Sequence, residues 1–250
     1  MPFGARMPSR HPSPRSPRPL RVALAVAALG LLLGAGCAAS RIQASAELAR
    51  ESEPFQASPE APAHRLLIVG DSTAVGTGAS SPRASLAGLI AAEHADWLIV
   101  NRARDGAKFG DVAEQLGGSE RFDTVLLLAG GNDVVRLTGA ESLRSSVDEA
   151  LGRARVLAPR VIVMPSGNVG NAPFFLPPWS WWMTQRSREL HRVVRSAATR
   201  HDAAYVDLFK ERRDDPFAQQ PKRLNAPDGL HPSDEGYRLW REELRRQAAL

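Results

Sequence analysis

From residue 66 onward the chain alternates short apolar runs with amphipathic stretches, and that alternation restricts the fold more than any other feature. Leu66-Leu67-Ile68-Val69, Trp97-Leu98-Ile99-Val100, Thr124-Val125-Leu126-Leu127-Leu128, Val161-Ile162-Val163-Met164 and Tyr205-Val206-Asp207-Leu208 have the length and composition of buried strands. In the stretches that follow them, Leu86, Leu89 and Ile90, then Phe109, Val112 and Leu116, then Leu143, Val147 and Leu151 fall at helical spacing. Leu190, Val194 and Ala198 continue the pattern, and Tyr237, Trp240 and Leu244 close it. Parallel strands need a crossover between them, and a helix supplies it. Strict alternation therefore predicts a three-layer α/β/α sandwich around a five-stranded parallel sheet, with any site outside the carboxyl ends of the strands.

Residues 64–250 are expected to form this single domain, with no internal repeat. Residues 38–63 are rich in Ala, Ser, Glu and Pro, include Pro54, Pro59 and Pro62, and read as a flexible linker. Residues 1–37 read as an export signal: an Arg- and Pro-rich start, an apolar run from Val22 to Leu33, then Gly34-Ala35-Gly36-Cys37. The run is shorter than the about 20 apolar residues of a membrane-spanning helix. The segment resembles a bacterial lipoprotein signal, although Gly34 stands where that pattern prefers Leu. The resemblance implies an exported cell-envelope protein held at the membrane by lipid on Cys37. The alternatives are ordinary secretory cleavage near Ala39, giving a periplasmic or secreted protein, and retention of the segment as a single N-terminal anchor. Cys37 is the only cysteine, so no internal disulfide is expected.

The net charge of +5 belongs to the same segment. Arg6, Arg10, Arg15, Arg18 and Arg21 lie there without one acidic residue, and the remaining Lys and Arg only balance the Asp and Glu. A balanced body lacks the positive surplus that neutralises phosphates, so nucleic acid is not an expected partner.

Polar residues stand where the predicted strands end. Gly70-Asp71-Ser72-Thr73 follows the first, Asn101 to Gly106 the second, and Gly130-Gly131-Asn132-Asp133 the third. Beyond the fifth comes Asp228-Gly229-Leu230-His231-Pro232. Each alone is an ordinary turn, but together they supply the parts of acyl transfer. A serine hydroxyl is a weak nucleophile unless a base takes its proton, and that base needs a third group to fix its tautomer. Asp228 and His231, three residues apart, can meet on one turn that Gly229 permits and Pro232 stiffens. The negative oxygen formed on attack needs donors already in place. The backbone N–H groups of Ser72 and Gly106 and the side-chain amide of Asn132 are the candidates.

These four blocks resemble those of the SGNH (GDSL-like) hydrolases, from about His64 to the C-terminus. The resemblance is closest to small bacterial members with esterase, thioesterase and lysophospholipase activity, in which Asn stands five residues before the block glycine, as Asn101 does before Gly106. It implies a flavodoxin-like SGNH hydrolase fold and a serine esterase acting on a small-molecule ester, a lipid or acetylated sugar among the possibilities. Ser72, Asp228 and His231 would be its triad, Ser72, Gly106 and Asn132 its oxyanion hole, and no cofactor would be needed. Thr73 where the name-giving motif has Leu, with Arg102 and Arg104, departs from the pattern at positions without a proposed role.

Other readings exist. In an ordinary α/β-hydrolase the nucleophile follows several strands rather than the first. A flavodoxin-like phosphate- or flavin-binding module could use the Gly70–Gly78 loop, but it leaves Asp228 and His231 unexplained. A catalytically silent binding lipoprotein would keep the residues and lack turnover. The histidines have no metal-ligand spacing, and Asp133 is expected to support its loop. Phe174 to Met183, with three tryptophans, is expected to be a loop that lines an acyl pocket, rests on a lipid interface or packs over the sheet.

Overall fold

The computed structural model describes Met1 and residues 40–250, so the expected signal segment and Cys37 lie outside the described residues. Five strands, β1 His64–Gly70, β2 Trp97–Asn101, β3 Thr124–Leu128, β4 Arg160–Val163 and β5 Ala204–Tyr205, form one sheet. All its pairings are parallel and its spatial order is β2-β1-β3-β4-β5. The helices are α1 over residues 40–51, α2 Ser72–Val75, α3 Leu86–Glu93, α4 Phe109–Gln115, α5 Gly131–Val135 and α6 Ala140–Leu157. They continue with α7 Trp179–Arg200, α8 Pro216–Gln219, α9 Pro221–Leu224 and α10 Asp234–Ala248.

Successive strand residues point to opposite faces of a sheet, and the core divides accordingly. Leu67, Val69, Val125, Leu127, Val161 and Val163 pack against Val112 of α4, Val147 and Leu151 of α6, and Leu190 and Val194 of α7. Leu66, Ile68, Leu126, Leu128 and Ile162 face the other way, onto Ile90 of α3 and Tyr237 and Leu244 of α10. This is the expected three-layer sandwich, with helices covering both faces. The strand order reverses at β1, whose neighbours are β2 on one side and β3 on the other. In such sheets the crevice at the reversal is where ligands bind. Gly70 pairs with Leu128, so β1 and β3 end level and release their loops side by side.

Three expectations about local structure need correction. Residues 38–63, expected as a flexible linker, are helical over 40–51, and Ala57 makes an antiparallel bridge to Ile99 of β2. The unit that holds the sheet accordingly runs from Arg41 to Leu250, rather than from 64. Ala, Gln, Glu, Leu and Arg favour helix, but the small Ala and Ser residues on the inner face leave too weak an apolar stripe to detect. The tryptophans do not sit in a loop: Trp179 opens the 22-residue helix α7, directly after Pro177-Pro178. The fifth strand keeps only Ala204 and Tyr205. Val206 N still donates to Val163 O at 3.0 Å, but Asp207 N turns to Gln247 Oε1 at 2.8 Å and the ladder stops.

Candidate active site

Ser72 is the first residue of α2, two positions beyond the end of β1 at Gly70. Gly70 makes that exit possible. Its φ is +150°, and a Cβ there would lie 1.8 Å from Leu128 O, inside the backbone of the neighbouring strand. Gln115 of α4 clamps the same residue from both sides, accepting from Gly70 N at 2.7 Å and donating to Gly70 O at 2.9 Å. Asp71 caps α2 through Oδ1, which accepts from Thr73 N at 2.9 Å and Thr73 Oγ1 at 2.7 Å. Asn101, at the end of β2, donates to Ala74 O at 2.8 Å and ties the second block to the serine turn.

His231 reaches this serine from the far end of the chain, with Nε2 2.9 Å from Ser72 Oγ. Its other ring nitrogen, Nδ1, lies 2.6 Å from Asp228 Oδ2. An ionised carboxylate only accepts, so Nδ1 carries the proton and Nε2 is left to accept the serine hydroxyl. Asp228 Oδ1 accepts from the backbone N–H groups of Leu230 at 2.9 Å and His231 at 3.1 Å. Burial pushes the Asp228 carboxyl up, but the His231 ring and these amides outweigh it and hold it below the ordinary carboxylate value. Gly229 takes φ +72° to close the turn. The turn is pinned from outside by Ala226 N donating to His231 O at 2.8 Å and Ser233 N donating to Leu224 O at 2.9 Å.

All three expected oxyanion donors border the cavity into which Ser72 and His231 open. Among the described residues, neither Ser72 N nor Gly106 N donates to a protein acceptor. Asn132, in the first turn of α5 after β3, donates through Nδ2 to Ala107 O at 3.2 Å. Asp133 supports that turn as expected: its Oδ2 accepts from Phe109 N, the first residue of α4, at 3.0 Å. The five site residues predicted from sequence are thus gathered at the β1/β3 reversal, on the carboxyl side of the sheet.

The cavity measures about 540 Å³, within the range of small-molecule sites. Phe174, Val169, Leu230 and Trp240 make much of its wall apolar, while Arg136 stands beside Gly106. Asp71, fully buried beneath it, is pushed up to about 6 by that burial, with the Thr73 hydrogen bonds pulling the other way. Burial likewise raises Asp105, which accepts from Thr77 Oγ1 at 2.7 Å. Among the described residues no group of three or more His, Cys, Asp or Glu is placed to hold a metal ion. Trp179, Trp181 and Trp182 do not line this cavity, and they expose 58%, 68% and 43% of their surface.

Sequence reasoning missed several supports of the site. Gln115 and the Asp105–Thr77 pair carried no motif, and neither did Tyr237, whose hydroxyl donates to Thr77 O at 2.8 Å. One faint signal was Gln115 itself, a polar residue at the end of an apolar helix face.

The family model described as GDSL-like lipase/acylhydrolase matches residues 68–239. No curated protein matches the chain. Among solved structures, an alpha/beta hydrolase enzyme from the metagenome of Lake Arreo is similar over 76% of this chain and 96% of its own, at 19% identity and TM-score 0.60. An extracellular lipase from Streptomyces rimosus is similar over 74% and 100%, at 19% identity and TM-score 0.55. An acetylxylan esterase from Geobacillus stearothermophilus is similar over 76% and 96%, at 21% identity and TM-score 0.52.

Proposed function

From the premise that the chain belongs to the GDSL-like lipase/acylhydrolase family and is a hydrolase of ester bonds, we propose that it works by acyl transfer through Ser72, His231 and Asp228. The observation that carries this reading is the unbroken hydrogen-bonded series from Asp228 through His231 to Ser72 at the edge of an apolar cavity.

His231 Nε2 takes the proton of Ser72 Oγ as that oxygen attacks the ester carbonyl, and Asp228 keeps the ring oriented and stabilises its positive charge. The carbonyl oxygen becomes negative and is met by Ser72 N, Gly106 N and Asn132 Nδ2. Asn132 Nδ2 carries two N–H groups, so one can meet the oxyanion while the other stays on Ala107 O. The tetrahedral adduct collapses, the C–O bond to the alcohol breaks, and His231 returns its proton to the leaving oxygen. Water then attacks the acyl-serine, again losing a proton to His231, and the acid departs with Ser72 restored.

The substrate is a small-molecule ester. The similar structures include a lipase and an acetylxylan esterase, so the acyl chain must be tested from two carbons upward. The test is hydrolysis of p-nitrophenyl acetate, butyrate and octanoate by the full chain and by Ser72→Ala. Turnover should fall to background in the variant, and turnover that survives would displace Ser72 as the nucleophile.

We further propose that the protein is exported and held in the cell envelope by lipid on Cys37. The basic start, apolar run and small residues before this cysteine support that reading. Incorporation of radiolabelled palmitate into the wild type and not into Cys37→Ser would bear it out. Equal labelling of both would exclude Cys37 as the lipid site.

A further inference from the structure

One wall of the cavity comes from an element that none of the catalytic blocks includes. Ile42, Ser45, Ala46 and Ala49 of α1 border the space into which Ser72 and His231 open. Their spacing of three, four and seven residues puts them on one helical face. Three of the four are small, so the wall leaves room instead of filling it.

The segment is fastened at both ends, each time beside catalytic machinery. Arg41 Nη1 donates to Pro173 O at 2.7 Å and Phe174 O at 3.2 Å. Phe174 N in turn donates to Gly229 O at 2.9 Å, within the turn that holds Asp228 and His231. After the helix, Gln56 pairs with the Asn101 backbone, donating to its O at 2.7 Å and accepting from its N at 2.8 Å. The Asn101 side chain is the one that holds Ala74 O in the serine turn. A mere tether would not need two anchor points on the site it serves.

We propose that α1 is the wall of the acyl-binding groove and sets the length of acyl chain the enzyme admits. The inference rests on the ester-hydrolysis reading above. Its occupant is an unbranched aliphatic acyl chain, which an Ala- and Ile-lined wall can desolvate but cannot hydrogen-bond.

The test uses the full chain with Ala49→Trp, which fills the groove from the wall, and Glu47→Trp, which adds the same bulk on the exposed side of α1. Ala49→Trp should lower kcat/KM for p-nitrophenyl octanoate at least tenfold more than for the acetate. Glu47→Trp should leave the octanoate-to-acetate ratio unchanged. In a Ser72→Ala background, Ala49→Trp should also weaken binding of dansylundecanoic acid at least tenfold, while Glu47→Trp does not. Equal losses on both esters with unchanged probe binding would overturn the wall. No turnover of any of these esters by the wild type would instead count against the hydrolytic reading, and the binding arm would still decide on α1.

Discussion

At the scale of single residues, the site divides into groups that meet the substrate and groups that hold them. In the proposed mechanism Asn132 belongs to the first. Its amide would be the one oxyanion donor that a side-chain substitution can remove. Asn132→Ala should cost on the order of 2.7–4 kcal/mol of transition-state stabilisation, read as a fall in kcat with the fold intact. An unchanged kcat would remove it from the oxyanion hole. Asp71 belongs to the second group, and its burial makes a prediction about pH. Its carboxyl ionises at about 6 in the folded protein against an ordinary 3.8, so the folded state holds this proton more tightly. The contribution to stability is therefore fully present below pH 3.8 and lost as pH rises through about 6. At pH 8 the ionised form costs on the order of 3 kcal/mol. Asp71→Asn keeps an acceptor for Thr73 and removes that charge, so it should raise the Tm at pH 8 and much less at pH 4. An equal change at both would mean that Asp71 stays ionised in the fold. Asp228 acts in the opposite sense, since a lowered folded pKa stabilises above the ordinary value and is lost on acidification.

At the scale of elements, strand ends and helix starts do the positioning. Ser72 and Asn132 each lie in the first turn of a short helix that starts within three residues of a strand end, so the β1–β3 pairing sets their separation. His231 depends on no strand at all and is placed by a turn pinned to Leu224 and Ala226. The element read least well from sequence was the tryptophan segment. Aromatic content says that a surface is apolar but not which way it faces, and Pro177-Pro178 reads equally as a loop or as a helix start. In the fold Trp181 is among the most exposed side chains of α7 and stands outside the cavity. Trp181→Ala should therefore change acetate and octanoate hydrolysis by the same factor. A selective loss on octanoate would bring the aromatic cluster back into the acyl site.

At the scale of the whole molecule, two apolar layers hold one rigid sheet, and the site stands on its edge. Leu151 of α6 is fully buried in the layer shared with α4 and α7 and belongs to none of the four candidate site blocks. Leu151→Ala should destabilise by about 2–5 kcal/mol, visible as a lower Tm, with kcat retained at temperatures where the protein stays folded. A matching loss of kcat in the folded enzyme would show that the site responds to distant packing. No helix of the described residues is long and apolar enough to cross a membrane.

The layer architecture and the five candidate site residues were both legible in the sequence. The first followed because strand and helix periodicities are local, being two and about 3.6 residues wherever they occur. The second followed because a strand end, a glycine and a polar residue are also read locally, and because the four blocks together resemble one family. The distances between those residues came only with the fold, since Ser72 and His231 lie 159 positions apart in the chain and 2.9 Å apart in space. The fold alone placed Gln115 on Gly70, and it alone brought α1 against the cavity. Both are side-chain meetings between segments whose own patterns are unremarkable. A contact of that kind has no period and no motif, and its energy exists only once the sheet has fixed the distance between the two partners.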